Sequence, residues 1–279
     1  MKQKRKILSS LGILLLTLLF STSGQSTTQL IIQPSRFELL LTPGKVETQA
    51  ITILNNGTDT LRIGVDVRDW EMDEEGNPLF TIPGEASSSC ATWLRFNPRL
   101  FQLAPGARQV VRFSLTPPAQ APAGEHRCAI LFAGEPVEET ALTMVSNILV
   151  TIYGYTPPVT RRGSLEEVFI DYCKDNGLQL RCKINSSGNA HLRCTGRFKV
   201  LDGNKTVLGE GFYKGNVVFP GRSRFFTSQL PLELPPGLYH VESEFSFVPP
   251  LYAGDLAEYG LEPGNTGIKH TTAFEVNAE

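Results

Sequence analysis

The sequence predicts an all-β protein with two immunoglobulin-like β-sandwich domains in tandem after an N-terminal signal peptide. The chain has 279 residues, which is enough for about two domains of ordinary size after removal of an export signal. Its 19 prolines and 25 glycines are spread between short runs rich in β-branched and aromatic residues, as is typical of sandwiches and barrels. Apolar residues alternate with polar ones within these runs, as at Leu61, Ile63, Val65 and Val67, and this period of two predicts half-buried strands.

The first 24 residues have the layout of an export signal. Four basic residues lie between positions 2 and 6, and the apolar run 7–20 follows them. This run is shorter than the roughly 20 residues that a membrane-spanning helix needs, and small residues follow it at Ser21, Ser23 and Gly24, as a signal peptidase requires. We therefore predict a signal peptide over residues 1–24 and no membrane anchor after its cleavage. An uncleaved anchor is the alternative.

Residues 25–157 are predicted to form the first sandwich. The turn Pro43-Gly44 separates its first two runs, and Pro105-Gly106 precedes a later strand, since such pairs interrupt strands and form turns. The predicted strands cover residues 30–41, 48–54, 61–70, 93–96, 101–103, 109–115, 127–132 and 142–155. This number of short strands is what an immunoglobulin-like sandwich needs.

Residues 158–279 are predicted to form the second sandwich. The boundary is placed between Pro157 and Pro158, because adjacent prolines cannot extend a ladder of strands. The predicted strands beyond it cover residues 168–172, 178–184, 191–201, 209–218, 224–234, 237–248 and 271–276. Residues 249–269 lack alternation and are predicted to form a long surface loop.

Five cysteines in an exported chain raise the question of disulfide bonds, which persist outside the cytoplasm. A bond within the first domain would have to join Cys90 and Cys128. In the second domain, Cys182 and Cys194 flank a predicted turn almost symmetrically and share strand parity with apolar residues. They are the preferred pair, which leaves Cys173 unpaired. The alternative is that these cysteines are buried and reduced.

Charge and motifs argue against several classes of function. The formal net charge of -2 disfavours a partner such as nucleic acid, which a strongly basic surface would hold. The sequence contains no nucleophile, metalloprotease or phosphate-binding motif, and its four histidines are scattered. We therefore predict a protein that is not an enzyme, with no catalytic residues, no metal and no cofactor. The acidic segment 71–77 lacks the spacing of a calcium loop and is predicted to be a solvated turn.

The first domain resembles that of the PapD-like periplasmic chaperones of pilus assembly. The most specific segment is WLRFNPRLFQLAPGARQVVRF, residues 93–113. It is similar to the family's strand with a proline, its turn with Pro-Gly and its next strand that ends in Val-Arg. Weaker similarity covers residues 35–37, 43–44, 51–55 and 122–132. The second domain resembles the family only in being a second sandwich.

This resemblance implies a protein that lends a strand to an incomplete partner. Family members use an alternating last strand of the first domain, so that main-chain hydrogen bonds and alternate apolar side chains bind the client. The strand that matches covers residues 142–153. Its apolar residues on one face are Leu142, Met144, Ile148, Val150 and Ile152. The alternative is an ordinary core strand.

The resemblance also implies roles for two arginines. Arg36 matches the arginine that grips the client's terminal carboxylate, a group that suits charged donors, although it could equally be a solvated strand residue. The family's lysine at that site has no counterpart, since residues 135–160 contain no lysine or arginine. The site would rely on Arg36 alone or use Arg161 or Arg162. Arg112 matches an internal structural ion pair, for which Glu125 is the candidate partner.

Two functions from different classes remain open at the level of sequence. The first is a periplasmic chaperone that binds and stabilises pilus or other surface-fibre subunits. Its partners would be β-sandwich subunits that lack a strand and an outer-membrane usher. The second is a secreted or cell-surface structural or binding protein with two immunoglobulin-like domains and no chaperone role. Neither the client nor the oligomeric state follows from the sequence.

Overall fold

The computed structural model describes residues 30–137, 146–248, 261–262 and 266–277. The predicted signal peptide, Leu142 and Met144 lie outside these residues. The described elements are strands and one short 3-10 helix, Ala91–Trp93. Among them, no helix has the length and apolar character needed to cross a membrane.

The first sandwich consists of ten strands in two facing sheets. One sheet has the order β1-β3-β8-β6 and the other the order β2-β10-β9-β4-β5, with β7 paired to β4. The strands are β1 Leu30–Gln33, β2 Arg36–Leu40, β3 Glu47–Asn55, β4 Leu61–Met72, β5 Pro78–Thr81, β6 Leu94–Asn97, β7 Leu100–Leu103, β8 Arg108–Leu115, β9 Gly124–Pro136 and β10 Ser146–Thr156.

The second sandwich pairs a three-stranded sheet, β12-β13-β17, with a larger sheet, β15-β14-β18-β20, in which β16 also pairs with β14. A short parallel pair, β11 with β19, lies apart from both sheets. The strands are β11 Val159–Thr160, β12 Gly163–Cys173, β13 Gly177–Ser186, β14 Leu192–Leu201, β15 Val207–Tyr213, β16 Val217–Val218, β17 Ser223–Leu230, β18 Gly237–Val248, β19 Leu261–Glu262 and β20 Gly267–Val276.

Alternation of apolar and polar residues builds both cores. On β4, Leu61, Ile63 and Val65 are buried, whereas Arg62 between them and Asp66 after them are exposed. Each fully buried aliphatic or aromatic side chain contributes about 1.5–3 kcal/mol to folding. Separate clusters of such side chains fill the two sandwiches. The predicted fold class is confirmed.

The path between β13 and β14 differs from the prediction. The turn after Ile184 does not join two strands of a hairpin, because β13 belongs to the three-stranded sheet and β14 to the facing sheet. The chain therefore crosses from one sheet to the other. Part of the predicted loop 249–269 is also strand, since β20 begins at Gly267. The predicted boundary at 157/158 stays a prediction; β10 ends at Thr156 and β12 begins at Gly163.

Candidate functional site

A cluster of buried apolar side chains joins the two sandwiches. Trp70, Tyr153 and Tyr155 contribute from the outer face of the β2-β10-β9-β4-β5 sheet, and Val217 and Phe219 contribute from the second sandwich. The rings of Trp70 and Phe219 meet edge to face, with centroids 5.1 Å apart. These five residues, the cleft cluster, hold the two sandwiches together, and the charged groups around them form the candidate site.

Arg36 lies at this cleft and contacts a carboxylate of its own chain. Its Nε is 3.2 Å from Oε1 of Glu38. Arg193, from β14 of the second sandwich, donates through its Nε to the same oxygen at 3.1 Å. The Tyr155 hydroxyl donates to the other oxygen at 3.5 Å. The side chain of Glu38 is only 2% exposed, whereas that of Arg36 is 33% exposed. Of the two, Arg36 is therefore the residue that solvent or a ligand can reach.

The second cation of this site was not among the sequence predictions. Arg193 occupies the place for which Arg161 and Arg162 were candidates. Arg161 instead donates from Nε to the carbonyl oxygen of His191 at 3.1 Å, and Arg162 is exposed. No sequence signal pairs Glu38 with Arg193, which is 155 positions away.

A second carboxylate, that of Glu125, is buried between the sandwiches. It accepts a hydrogen bond from the main-chain N–H of His191 at 2.8 Å, and its Oε2 lies 2.6 Å from Nδ1 of the same histidine. Arg127 lies 3.6 Å from its other oxygen. Burial alone would raise the pKa of Glu125, but the charge and hydrogen bonds of His191 and the charge of Arg127 together lower it below its ordinary value.

The predicted ion pair between Arg112 and Glu125 is wrong. Arg112 is exposed on β8, which belongs to the β1-β3-β8-β6 sheet, whereas Glu125 begins β9 in the facing sheet. The two side chains thus lie on opposite sides of the first sandwich. The charged partners of Glu125 are Arg127, on the same face of the same strand, and His191.

The strand predicted to be lent to a client is β10. Its residues Thr151 to Tyr155 pair with β9 on one side and with β2 on the other. Val150 and Ile152 are fully buried in the first sandwich, and Ile148 packs against its core. A fully buried side chain has no surface with which to fill a client's groove. Strand lending by these residues stays a prediction.

The cysteines are all free thiols. The predicted bond between Cys182 and Cys194 is wrong, because the two residues lie on strands of facing sheets and each is buried in the core as a thiol. Burial raises the pKa of Cys194 to about 12. The sulfur atoms of Cys90 and Cys128 are in contact at 3.2 Å, and no bond joins them. Cys173 is exposed.

The acidic segment is a turn with exposed carboxylates at Glu74 and Glu75, as predicted, but it is not isolated from the rest of the protein. Its side chains contact basic residues of the second sandwich, among them Arg181 and Lys183. Across the described ranges, no group of three or more histidine, cysteine, aspartate or glutamate side chains is arranged to hold a metal ion.

No family model and no curated protein matches the sequence. The structure is similar to solved fimbrial chaperones, as the sequence resemblance predicts. The class 5 fimbriae chaperone CfaA is 12% identical, with coverage of 87% of this chain and 98% of that chain and a TM-score of 0.48. The E. coli chaperone DraB is 15% identical, with coverage of 90% and 98% and a TM-score of 0.43. The Pseudomonas aeruginosa CupB2 chaperone is 11% identical, with coverage of 87% and 99% and a TM-score of 0.44. At these identities, function has to follow from the residues of this chain.

Proposed function

We propose that the protein is a periplasmic chaperone that binds fimbrial or other surface-fibre subunits through the free edge of β10. The observation that carries this proposal is that β10 is only half paired. Residues 146–150 pair with β9, and within the described ranges no strand pairs with their other edge. An unpaired edge offers main-chain donors and acceptors to a strand from another chain.

The side chains beside this edge decide what it can bind. Leu149 points away from the core of its own sandwich and packs, half-buried, beside the cleft cluster. Asn147 is exposed on the same face. A client strand that pairs with residues 146–150 would therefore meet Leu149, while Ile148 stays against the core. The proposal also includes Leu142 and Met144, which lie outside the residues that the structure describes.

We expect Arg36 to bind the client's terminal carboxylate. Its register partner on β10 is Thr151, directly after the free edge. Arg36 and Arg193 already hold the carboxylate of Glu38, so the chemistry of this cleft suits carboxylates. A third of the Arg36 side chain is exposed, so part of it can reach a client's carboxylate.

The proposed partners are β-sandwich subunits that lack a strand, followed by an outer-membrane usher that accepts the subunit. Residues 1–24 would direct the chain to the periplasm. The proposal needs no catalytic residue and no cofactor, because main-chain pairing and one charged anchor suffice for binding.

The test is photo-crosslinking in the exporting bacterium, with a photoreactive amino acid at position 147. The control position is 199, where Lys199 is exposed on the second sandwich. We expect one adduct from position 147, a subunit with an incomplete β-sandwich, and none from position 199. Arg36→Ala should lower its yield about tenfold, the effect of losing one charge-assisted hydrogen bond.

Arg112→Ala is the matched control, because Arg112 is an exposed arginine of the same sandwich on the opposite sheet. Its adduct yield should equal that of the wild type. Adducts that form at both positions, or that persist unchanged in Arg36→Ala and Leu149→Asp, would contradict strand lending. The protein would then be better explained as a secreted or cell-surface binding module.

A further inference from the structure

The segment 71–77 of the first sandwich, the clasp loop, reaches across to the second sandwich. Its carboxylates form three ion pairs with basic side chains there. Glu75 contacts Arg181 at 2.6 Å, and Glu74 contacts Lys183 at 3.0 Å. The third pair joins Glu71 to Arg222 at 2.7 Å.

The surface that receives the clasp loop is the outer face of the β12-β13-β17 sheet. Phe225 lies there between two cations, with Arg181 at 4.1 Å and Lys183 at 5.4 Å from its ring centroid. Cys182, between Arg181 and Lys183, and Phe226, next to Phe225, point to the opposite face of the sheet and are fully buried. The aromatic ring and the two cations thus form a positively charged platform opposite the acidic loop.

Two contacts make the fit more specific than charge alone. The main-chain N–H of Phe225 donates to the carbonyl oxygen of Glu74 at 2.8 Å. Gly76 has a φ of +88°, and a Cβ atom at this position would overlap the guanidinium group of Arg224. A side chain at residue 76 would displace the guanidinium group of Arg224 from this contact, and the positive φ itself favours glycine.

The clasp loop is also held in shape by its own hydrogen bonds. The carboxylate of Asp73 accepts from the main-chain N–H and the side-chain amide of Asn77, both at 2.8 Å. These two bonds lower the pKa of Asp73 below its ordinary value. A loop with a fixed shape loses little conformational entropy on contact.

We propose that the clasp loop fixes the angle between the two sandwiches and thereby sets the opening of the cleft at Arg36. The cleft cluster gives one region of contact between the sandwiches, and a single contact region permits rotation about it. The clasp loop gives a second, and Arg127 connects the two, since it contacts both Glu71 and Glu125. The clasp loop adjoins the cleft cluster through Met72 and extends the contact as far as Arg181 on β13, so rotation about the cleft cluster would break the ion pairs of the loop. This inference does not depend on any client.

Each exposed ion pair contributes little by itself, and salt screens it. The three pairs act together with a main-chain hydrogen bond and the packing of Arg224 on Gly76, so their joint loss is what should release the angle. We therefore expect the angle between the sandwiches to vary more in a variant that weakens several of these contacts, or that displaces Arg224. A variant that loses one remote surface ion pair should keep the wild-type angle.

The test measures the distance between spin labels on cysteines introduced at Gln102 and Lys199, exposed positions in different sandwiches. The background is Cys173→Ser, because the other four cysteines are buried. The wild type should give one narrow distance distribution. Gly76→Ala and the double variant Arg181→Glu, Lys183→Glu should at least double its width, and 1 M salt should broaden the wild-type distribution.

A charge swap distinguishes loss of the ion pairs between the clasp loop and the second sandwich from general destabilisation of the protein. Exchanging the signs on both sides, with Glu74→Lys and Glu75→Arg added to the double variant, should restore the narrow distribution. The control is Arg197→Glu, which breaks a surface pair within the second sandwich and should leave the distribution unchanged. Circular dichroism identifies any variant that unfolds. Folded Gly76→Ala and double variants with the wild-type distribution would overturn the inference, and client binding enters neither result.

Discussion

At the scale of single residues, the contact between Cys90 and Cys128 makes a prediction about oxidation. Their sulfur atoms are 3.2 Å apart and fully buried. The hydrogen bond with Cys90, then burial, raises the pKa of Cys128 well above its ordinary value, so the folded Cys128 thiol is a poor nucleophile. We expect the pair to bond only if it is oxidised while the chain folds, when each thiol gives up one proton and one electron to an external disulfide such as oxidised glutathione.

Alkylation in denaturant, followed by mass spectrometry, counts the thiols. Of five cysteines, three should lie outside any intramolecular bond after refolding with oxidised glutathione: Cys173, Cys182 and Cys194, each as a free thiol or as a mixed disulfide with glutathione. The bond, which closes a span of 38 residues, should raise the free energy of unfolding by about 4 kcal/mol. Cys90→Ser is the control and should show no intramolecular bond. A wild type with five free thiols, or a bond between Cys182 and Cys194, would contradict the prediction.

Glu125 makes a second prediction at this scale, about pH. Because its pKa is lower in the folded protein than its ordinary value of 4.5, its contribution to stability is complete above that value. The contribution is lost as the pH falls through the folded pKa, which lies below 4.5. Glu125→Gln should lower the free energy of unfolding at pH 7 by about 3 kcal/mol, since it removes one partner of a buried charged group.

Urea unfolding at a series of pH values from 7 down to 3 measures this effect. The difference between wild type and Glu125→Gln should be constant from pH 7 to 5 and shrink below pH 4.5. The control is Glu244→Gln, because Glu244 also has a lowered pKa, through Arg197 first, but is exposed to solvent. The Glu244→Gln substitution should change the free energy of unfolding only slightly at every pH. If the difference in the free energy of unfolding between wild type and Glu125→Gln grows on acidification, the predicted direction of the Glu125 pKa shift is wrong.

At the scale of strands, alternation was enough to find the elements but not the sheets they join. The predicted strand 109–115 is β8, Arg108–Leu115, and 191–201 is β14, Leu192–Leu201. Alternation tells which side chains share a face, because it follows from local geometry. It carries no information about which sheet receives the strand. The error for Cys182 with Cys194 has this cause. The pairing of Arg112 with Glu125 came instead from the family resemblance, and the two residues lie in facing sheets.

The candidate site was predictable only in part for the same reason. Arg36 was found through the family resemblance, and the structure places it at the cleft. Its neighbours Glu38 and Arg193 meet across two sandwiches, and so do Glu125 and His191. Such pairs depend on how the sandwiches dock, which no local pattern encodes. The acidic segment 71–77 was visible as a charged run, but its basic partners lie on other strands more than 100 positions later.

At the scale of the whole molecule, the contacts between the sandwiches predict that the two unfold together. Phe219 of the second sandwich is 3% exposed, packs edge to face on Trp70 of the first, and lies under the guanidinium group of Arg127 at 4.0 Å. Its truncation removes apolar contact across the cleft and leaves a cavity. Phe219→Ala should therefore cost about 3–5 kcal/mol and weaken the coupling between the sandwiches.

Differential scanning calorimetry distinguishes coupled from independent unfolding. The wild type should show one cooperative transition, and Phe219→Ala should show two, with the first at a lower temperature. Phe212→Ala is the matched control, because Phe212 belongs to the same sandwich but is 78% exposed; it should keep the single transition at nearly the wild-type temperature. Two transitions in the wild type would mean that the clasp loop and the cleft cluster do not couple the sandwiches. The angle at the cleft would then be free to vary, and under the proposed function a client would have to select one angle on binding.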